Sequence, residues 1–356
     1  MTESPRYRWL VSQETLDRAN RLLEALRAGR QSPGRYLTVA LDKRGGWPDS
    51  PEDLLCALLL TKKPCIFAES AVAGDGSDWT AEEVALLGDI TCLVPVTVFD
   101  DGEWYQPRVH EPPFAAHLVF VPGALLRDLQ RAPSPDRAEI APRGMIDPEA
   151  HCRLYERRLR PVFDAIEAVA AAEDRGAVVT IPGLGCGQFA GAFGERVKAV
   201  LRDTLHRLLE AHAARWPHLR LVHFDPYAGI EPATWRIRRD LVYRVRPLTG
   251  GHGHPQLSRV ADFDEGEGRL GDCRLFSLVA WDHVSWPGND FYAGSRYTDD
   301  GVKAAATDSM YRMTGIEGSY DPVHHSYQPP AGFITWEQVV QDHGIRLKVE
   351  DHLQVR

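Results

Sequence analysis

Carboxylates crowd one stretch of this chain. From Leu278 to Met313 it reads LVAWDHVSWPGNDFYAGSRYTDDGVKAAATDSMYRM, with Asp282, Asp290, Asp299 and Asp300 set among Asn, Gly, Ser and aromatic residues. Aspartates gathered in one loop can stabilise a cationic transition state and position or deprotonate water. One that is desolvated beside the others can hold a proton to donate. The same oxygens could instead hold Mg²⁺. Asp299, close before Gly301, reads as a plain helix cap, and Asp308 as a solvated or packing-satisfied carboxylate.

A second loaded stretch, PGLGCGQFAGAFG, follows Ile181 and places Gly183, Gly185, Gly187 and Gly191 within nine residues. Glycine permits positive φ and close approach of the backbone to a ligand. A helix opening beyond it would aim unpaired N–H groups at a diphosphate. The spacing is not GxGxxG, and no Walker lysine with its Ser/Thr follows, so neither a dinucleotide fold nor a P-loop is indicated. Cys186 lies in this loop without an identifiable His partner, and a small loop residue is the better reading than a nucleophile.

Periodicity supplies the elements that must position these residues. Helices are expected over Gln13–Arg27, from Pro51 after Ser50, after the Thr80/Glu83 capping box, from Pro148 after Asp147, beyond the glycine loop, and over 335–343. Strands are expected at Tyr36–Leu41, Cys65–Ala68, Thr91–Phe99, His117–Val121, Ala177–Ile181, Leu219–Phe224, Arg239–Val245 and Leu275–Trp281. The carboxylate stretch closes as one helix with Val302, Ala305, Ala306, Met310 and Met313 on one face. Pro247–Asp272 reads as surface loop. Alternating strands and helices argue a layered α/β sheet, whose carboxyl edge is where such folds bind ligands.

Composition narrows the function classes. A formal charge of −9 argues against sequence-independent nucleic-acid binding. The six cysteines form no CxxC pair, and free thiols in a reducing compartment are expected. No apolar run reaches membrane length and the first residues carry no signal core, so a cytoplasmic protein without a membrane partner is expected, although an export address would be invisible. The pairs His252/His254 and His324/His325 lack a zinc pattern.

The two loops together resemble the macrodomain superfamily, whose members bind ADP-ribose, and are most similar to the MavL-type bacterial ADP-ribosyl hydrolases. IPGLGCGQFAG is similar to the family's diphosphate loop, with a GCGxFxG core like that of poly(ADP-ribose) glycohydrolases. AWDHVSWPGND through GVKAAATDSM resembles the distal-ribose loop. The resemblance is most specific over Asp282–Tyr320, good over Gly183–Gly191 and weak before about residue 110.

It implies an α/β fold with a macrodomain-like mixed sheet flanked by helices, the two ligand loops in reversed chain order. It also implies an N-terminal α/β extension, residues 1–110, packed on a catalytic core, residues 111–356. Asp282, Asp290 and Asp300 match the family's functional aspartates. Gly183, Gly185, Cys186, Gly187, Gln188, Phe189 and Gly191 would hold the substrate. Asn289, Phe291 and Arg296 would neighbour ribose or phosphate, and Phe224 and Asp225 the adenosine; core packing is the plainer reading of Phe224. The implied reaction hydrolyses the N-glycosidic bond between ADP-ribose and a protein side chain, with arginine the expected acceptor, ubiquitin one candidate carrier and no cofactor. A non-catalytic ADP-ribose reader and a metal-dependent phosphoesterase acting on ADP-ribose derivatives are the alternatives.

Overall fold

A computed structural model describes residues 7–66, 77–127, 134–266, 270–349 and 352–356. Its strands are β1 (Arg8–Val11), β2 (Thr91–Asp100), β3 (Val109–Pro122), β4 (Gly176–Pro182), β5 (Leu219–Asp225), β6 (Ala233–Arg238), β7 (Leu241–Val245), β8 (Cys273–Trp281), β9 (Ser319–Asp321), β10 (Ser326–Gln328) and β11 (Leu353–Val355). Nine of them form one sheet in the order β11-β1-β2-β3-β8-β4-β5-β7-β6, and β9 and β10 form a separate hairpin. The middle of the sheet is parallel: β8 lies between β3 and β4, followed by β5 and β7. β1–β2, β2–β3 and β6–β7 are antiparallel. The fold is thus the mixed α/β sheet flanked by helices that the sequence implied. The sheet runs across residue 110: β2 pairs with β3 from Cys92–Phe120 to Val98–Phe114 and, after a register shift, again at Asp100–Val109.

Both faces of the central strands are buried, which is why they read as runs of Val, Ile, Leu and Phe rather than alternating with polar residues. Successive side chains enter opposite cores: Phe120, Val178 and Leu275 point to one, Val119, Val179 and Phe276 to the other. The first core lies under the helices Gln13–Arg27, Pro51–Leu59 and Ala81–Gly88, and the second under Pro148–Ala172 and Arg196–His212. The expected starts hold: Ser12, Ser50 and Asp147 cap their helices, and Thr80 and Glu83 form a reciprocal capping box.

Several expectations need correction. Tyr36–Leu41 is not a strand but part of the helix Arg35–Arg44; Leu37 and Leu41 are buried one turn apart while Val39 is exposed. The run Val302–Met313 is two helices, Asp299–Ala305 and Ser309–Thr314. It breaks because the chain pairs with β2 there: Phe99 N–H donates to the Ala306 carbonyl, and Thr97 N–H to Asp308 Oδ1 at 2.7 Å. The region 247–272 is not wholly surface, since Leu257 and Phe263 are buried in the first core. Of the expected strand Cys65–Ala68, Cys65 and Ile66 are irregular and the rest lies outside the described residues.

Candidate active site

Parallel pairing brings the carboxyl ends of β3, β8, β4 and β5 to one edge of the sheet, and every expected site residue except Arg296 and the β5 residues Phe224 and Asp225 lies in the loops or first helical turns leaving it. The glycine loop leaves β4. Its glycines divide by role. Gly185 (φ +72°) and Gly191 (φ +52°) are left-handed, and a Cβ on either would meet the loop after β3: Ala124 O at 2.7 Å for Gly185 and Arg127 Cα at 2.8 Å for Gly191. Those two glycines serve backbone against backbone. Gly187 faces open space, and its N–H and that of Gln188 donate to no carbonyl among the described residues. Gly187 and Gln188 are exposed and Phe189 is half-buried.

The long helix does not open on this loop, as the sequence suggested. A 3₁₀ turn, Gln188–Phe193, intervenes, and the helix begins at Arg196. A phosphate here would meet loop N–H groups rather than a helix terminus. Cys186 is buried, its thiol pushed up to about 12 by desolvation and bonded weakly to the Leu184 carbonyl at 3.6 Å, so it is not activated.

The carboxylates leave β8. Asp282 follows Trp281, is 7% exposed, and is engaged by its own loop: Oδ1 accepts from Val284 N at 2.6 Å and Ser285 N at 2.8 Å, and Oδ2 from the Ser285 hydroxyl. Asp290 is half-buried and accepts from Thr298 Oγ1 at 2.6 Å. Asp300, 5% exposed, accepts from Gly288 N at 2.9 Å. Desolvation, then the charges of Asp290 and Asp282, hold the Asp300 carboxyl well above its ordinary range; only the Gly288 N–H opposes them. The three aspartates are therefore one electrostatic cluster in which Asp300 is the carboxyl whose proton is held most firmly.

Asp299 is not the cap it resembled. Thr298 caps the helix, accepting from Gly301 N at 3.2 Å, while Asp299 accepts from Ala280 N of β8 at 2.8 Å and pairs with Lys303 at 3.0 Å. Neighbouring positions are structural too. Asn289 accepts from Ile66 N–H at 2.8 Å, and its Nδ2 donates to the Ile66 carbonyl at 3.0 Å and to Asp290 Oδ1 at 3.3 Å. Phe291 is buried in the first core. Arg296 donates to the carbonyls of His325 and Glu103, tying the loop to two distant turns.

At the end of β5, Phe224 is fully buried in the second core, which corrects its candidacy as an adenosine contact. Asp225 accepts from Tyr227 N at 2.7 Å, Leu248 N at 3.0 Å and Gln256 Nε2 at 3.2 Å, and burial raises its carboxyl. Gln256 in turn accepts from Lys303 Nζ at 2.8 Å. A polar chain, Asp225–Gln256–Lys303–Asp299, so links the β5 loop to the helix bearing Asp300.

Sequence reasoning missed the groups that come from elsewhere in the chain. Lys62, buried, donates to the His283 carbonyl at 2.6 Å and lies 4.0 Å over the Trp281 ring; burial lowers its amine to about 7 against the pull of Asp282. Lys63 N donates to Val284 O at 3.0 Å and Trp286 N to Lys63 O at 2.7 Å, so residues 62–66 form a strap along the Asp282–Asn289 loop. Beneath it, Arg158 donates to Asp89 at 3.2 Å, Asp136 at 2.7 Å and the Pro122 carbonyl at 3.1 Å. Asp136 also accepts from Leu125 N at 2.8 Å and pairs with His283 at 3.1 Å. Tyr155 bridges Ala124 N and the Leu184 carbonyl. No local motif announces such partners; the only signal was an unusual density of charge in segments otherwise apolar.

Among the described residues no group of three or more His, Cys, Asp or Glu side chains is arranged to hold a metal ion. No helix among them is long and apolar enough to cross a membrane. The sequence matches the model of a protein family described as "Macrodomain effector MavL" over residues 7–333. Comparison with curated proteins finds no match.

Proposed function

Because the chain belongs to the MavL macrodomain effector family, matched over residues 7–333, we propose that it is an ADP-ribosyl hydrolase that frees arginine side chains, ubiquitin's among the candidates, from ADP-ribose. Family membership supports an ADP-ribose-related function; the carboxylate cluster carries the hydrolytic reading. The single observation behind it is Asp300, buried beside two further carboxylates at the sheet's carboxyl edge, where desolvation and their charges raise its carboxyl.

In this reading the diphosphate lies on the N–H groups of Gly187 and Gln188, which sets the distal ribose against the β8 loop. Cleavage of the bond from the anomeric carbon to the guanidine nitrogen passes through a cation-like sugar. Asp290, the most accessible of the three, stabilises that charge and takes a proton from the attacking water, whose oxygen bonds to the anomeric carbon. The leaving nitrogen keeps the bonding pair and receives the proton held by Asp300, departing as guanidinium. Asp282, engaged by its own loop, is a positioning residue that fixes the Val284–Ser285 turn and adds to the field that raises the Asp300 carboxyl. All six thiols are free, which suits the reducing cytoplasm we propose as the site of action.

The test is release of free ADP-ribose from arginine-, serine- and glutamate-linked substrates side by side, with and without EDTA. We expect arginine-linked turnover that survives EDTA, and a loss on the order of 100-fold or more in Asp300→Asn. Asparagine still offers Gly288 N–H an acceptor. A carboxyl raised by folding binds its proton more tightly than in the unfolded chain, so the burial of Asp300 costs stability above the ordinary carboxylate range. Asp300→Asn should therefore melt higher than wild type at neutral pH while turning over less. Wild-type turnover in this variant refutes the assignment; binding without release favours a reader, and EDTA sensitivity the phosphoesterase.

A further inference from the structure

We propose that Trp104 and Tyr297, an exposed aromatic pair at the rim of the carboxylate cluster, dock the protein that carries the ADP-ribosylated arginine. The inference rests on the hydrolase reading above. Large aromatic side chains are mostly interior in this chain, yet Trp104 is 55% exposed, its neighbour Tyr105 73% and Tyr297 82%. Trp104 belongs to the turn between β2 and β3, and Tyr297 to the segment that joins Asp290 to Asp300. Their ring centroids are 6.3 Å apart, tilted 57°.

The backbone under the rings is pinned. Arg296, adjacent to Tyr297, donates to the Glu103 and His325 carbonyls. Asp101 shapes the other turn by accepting from Glu103 N at 3.2 Å and Arg108 N at 3.1 Å. The rings are thus exposed on a fixed base, which keeps the entropy lost on docking low. Position identifies the occupant. Tyr297 precedes Thr298, whose hydroxyl bonds Asp290 and caps the Asp300 helix, so the rim borders the point where the acceptor leaves the distal ribose. Tilted rings form no parallel slot for a purine, whereas exposed aromatic rings next to the half-buried carboxylate Glu103 suit a guanidinium-bearing protein surface by cation–π contact and charge.

The experiment compares Trp104→Ala and Tyr297→Ala with wild type on arginine-ADP-ribosylated ubiquitin and on free ADP-ribosyl-arginine, and measures ADP-ribose affinity by calorimetry. Expected is a fall on the order of tenfold in kcat/KM on the protein substrate. The small substrate and ADP-ribose affinity should stay within about twofold, and Tyr297→Phe should recover most of the loss. Equal losses on both substrates, weakened ADP-ribose binding, or a wild-type enzyme no better on ubiquitin than on the small substrate would each overturn the proposal. A wild type that cleaves neither refutes the hydrolase reading instead.

Discussion

Lys62 carries an amino group into the wall behind the aspartates. Burial brings it from 10.5 down to about 7, with Asp282 and Cys92 pulling the other way. The folded chain therefore prefers the neutral amine, while the unfolded chain binds the proton up to the ordinary lysine range. Unfolding takes up a proton across that window, so this residue makes stability rise with pH from about 7 to about 10. Lys62→Met keeps the length and the contact with Trp281 but not the charge. Chemical denaturation across the window should show the rise in wild type and a flatter profile in the variant; identical profiles would remove Lys62 as its source. The variant also loses the hydrogen bond to His283 O, and turnover should fall with it because that peptide adjoins Asp282.

The glycine loop is the element whose parts can be separated. Gly185→Ala meets a left-handed backbone and the Ala124 carbonyl together, and should cost about 2 kcal/mol or more in thermal unfolding. Gln188→Pro removes one N–H at the first position of the 3₁₀ turn, whereas Gln188→Ala keeps that N–H. A difference on the order of tenfold in ADP-ribose affinity between these two isolates the backbone donor, and equal affinities would mean that the loop is no phosphate cradle. What was legible in the sequence follows the same division. The central strands, the capped helices and the two loops were readable because burial on both faces and cap chemistry leave local patterns. Arg35–Arg44 was misread because two buried leucines four apart also fit an alternating strand, and only the exposure of Val39 decides between them. The break at Thr307–Asp308 and the Asn289 clamp on Ile66 depend on partners remote in the chain, and no window of sequence contains both halves.

At the scale of the molecule, buried ion pairs join the helical layer to the active edge. Arg158 and Asp136 hold Pro122, Leu125 and His283 in place, and the charge of Arg158 keeps the Asp136 carboxyl far below its usual range against the cost of burial. That contribution is present at neutral pH and is lost on strong acidification as the carboxylate takes up a proton. Asp136→Asn leaves a buried guanidinium short of a counter-charge and should destabilise the fold by about 3 kcal/mol. A melting temperature within about 1 °C of wild type would show that the remaining partner, Asp89, suffices. β8 has a further consequence. It seats itself between β3 and β4, both made earlier on the ribosome. Until residues 273–281 emerge, two inner strands lack their shared neighbour and expose unpaired edges. Closing this sheet is a long-range event that comes late and slowly, with a risk of intermolecular strand pairing. Because the aspartates follow the strand that closes the gap, the carboxylate cluster cannot assemble before β8 is in place.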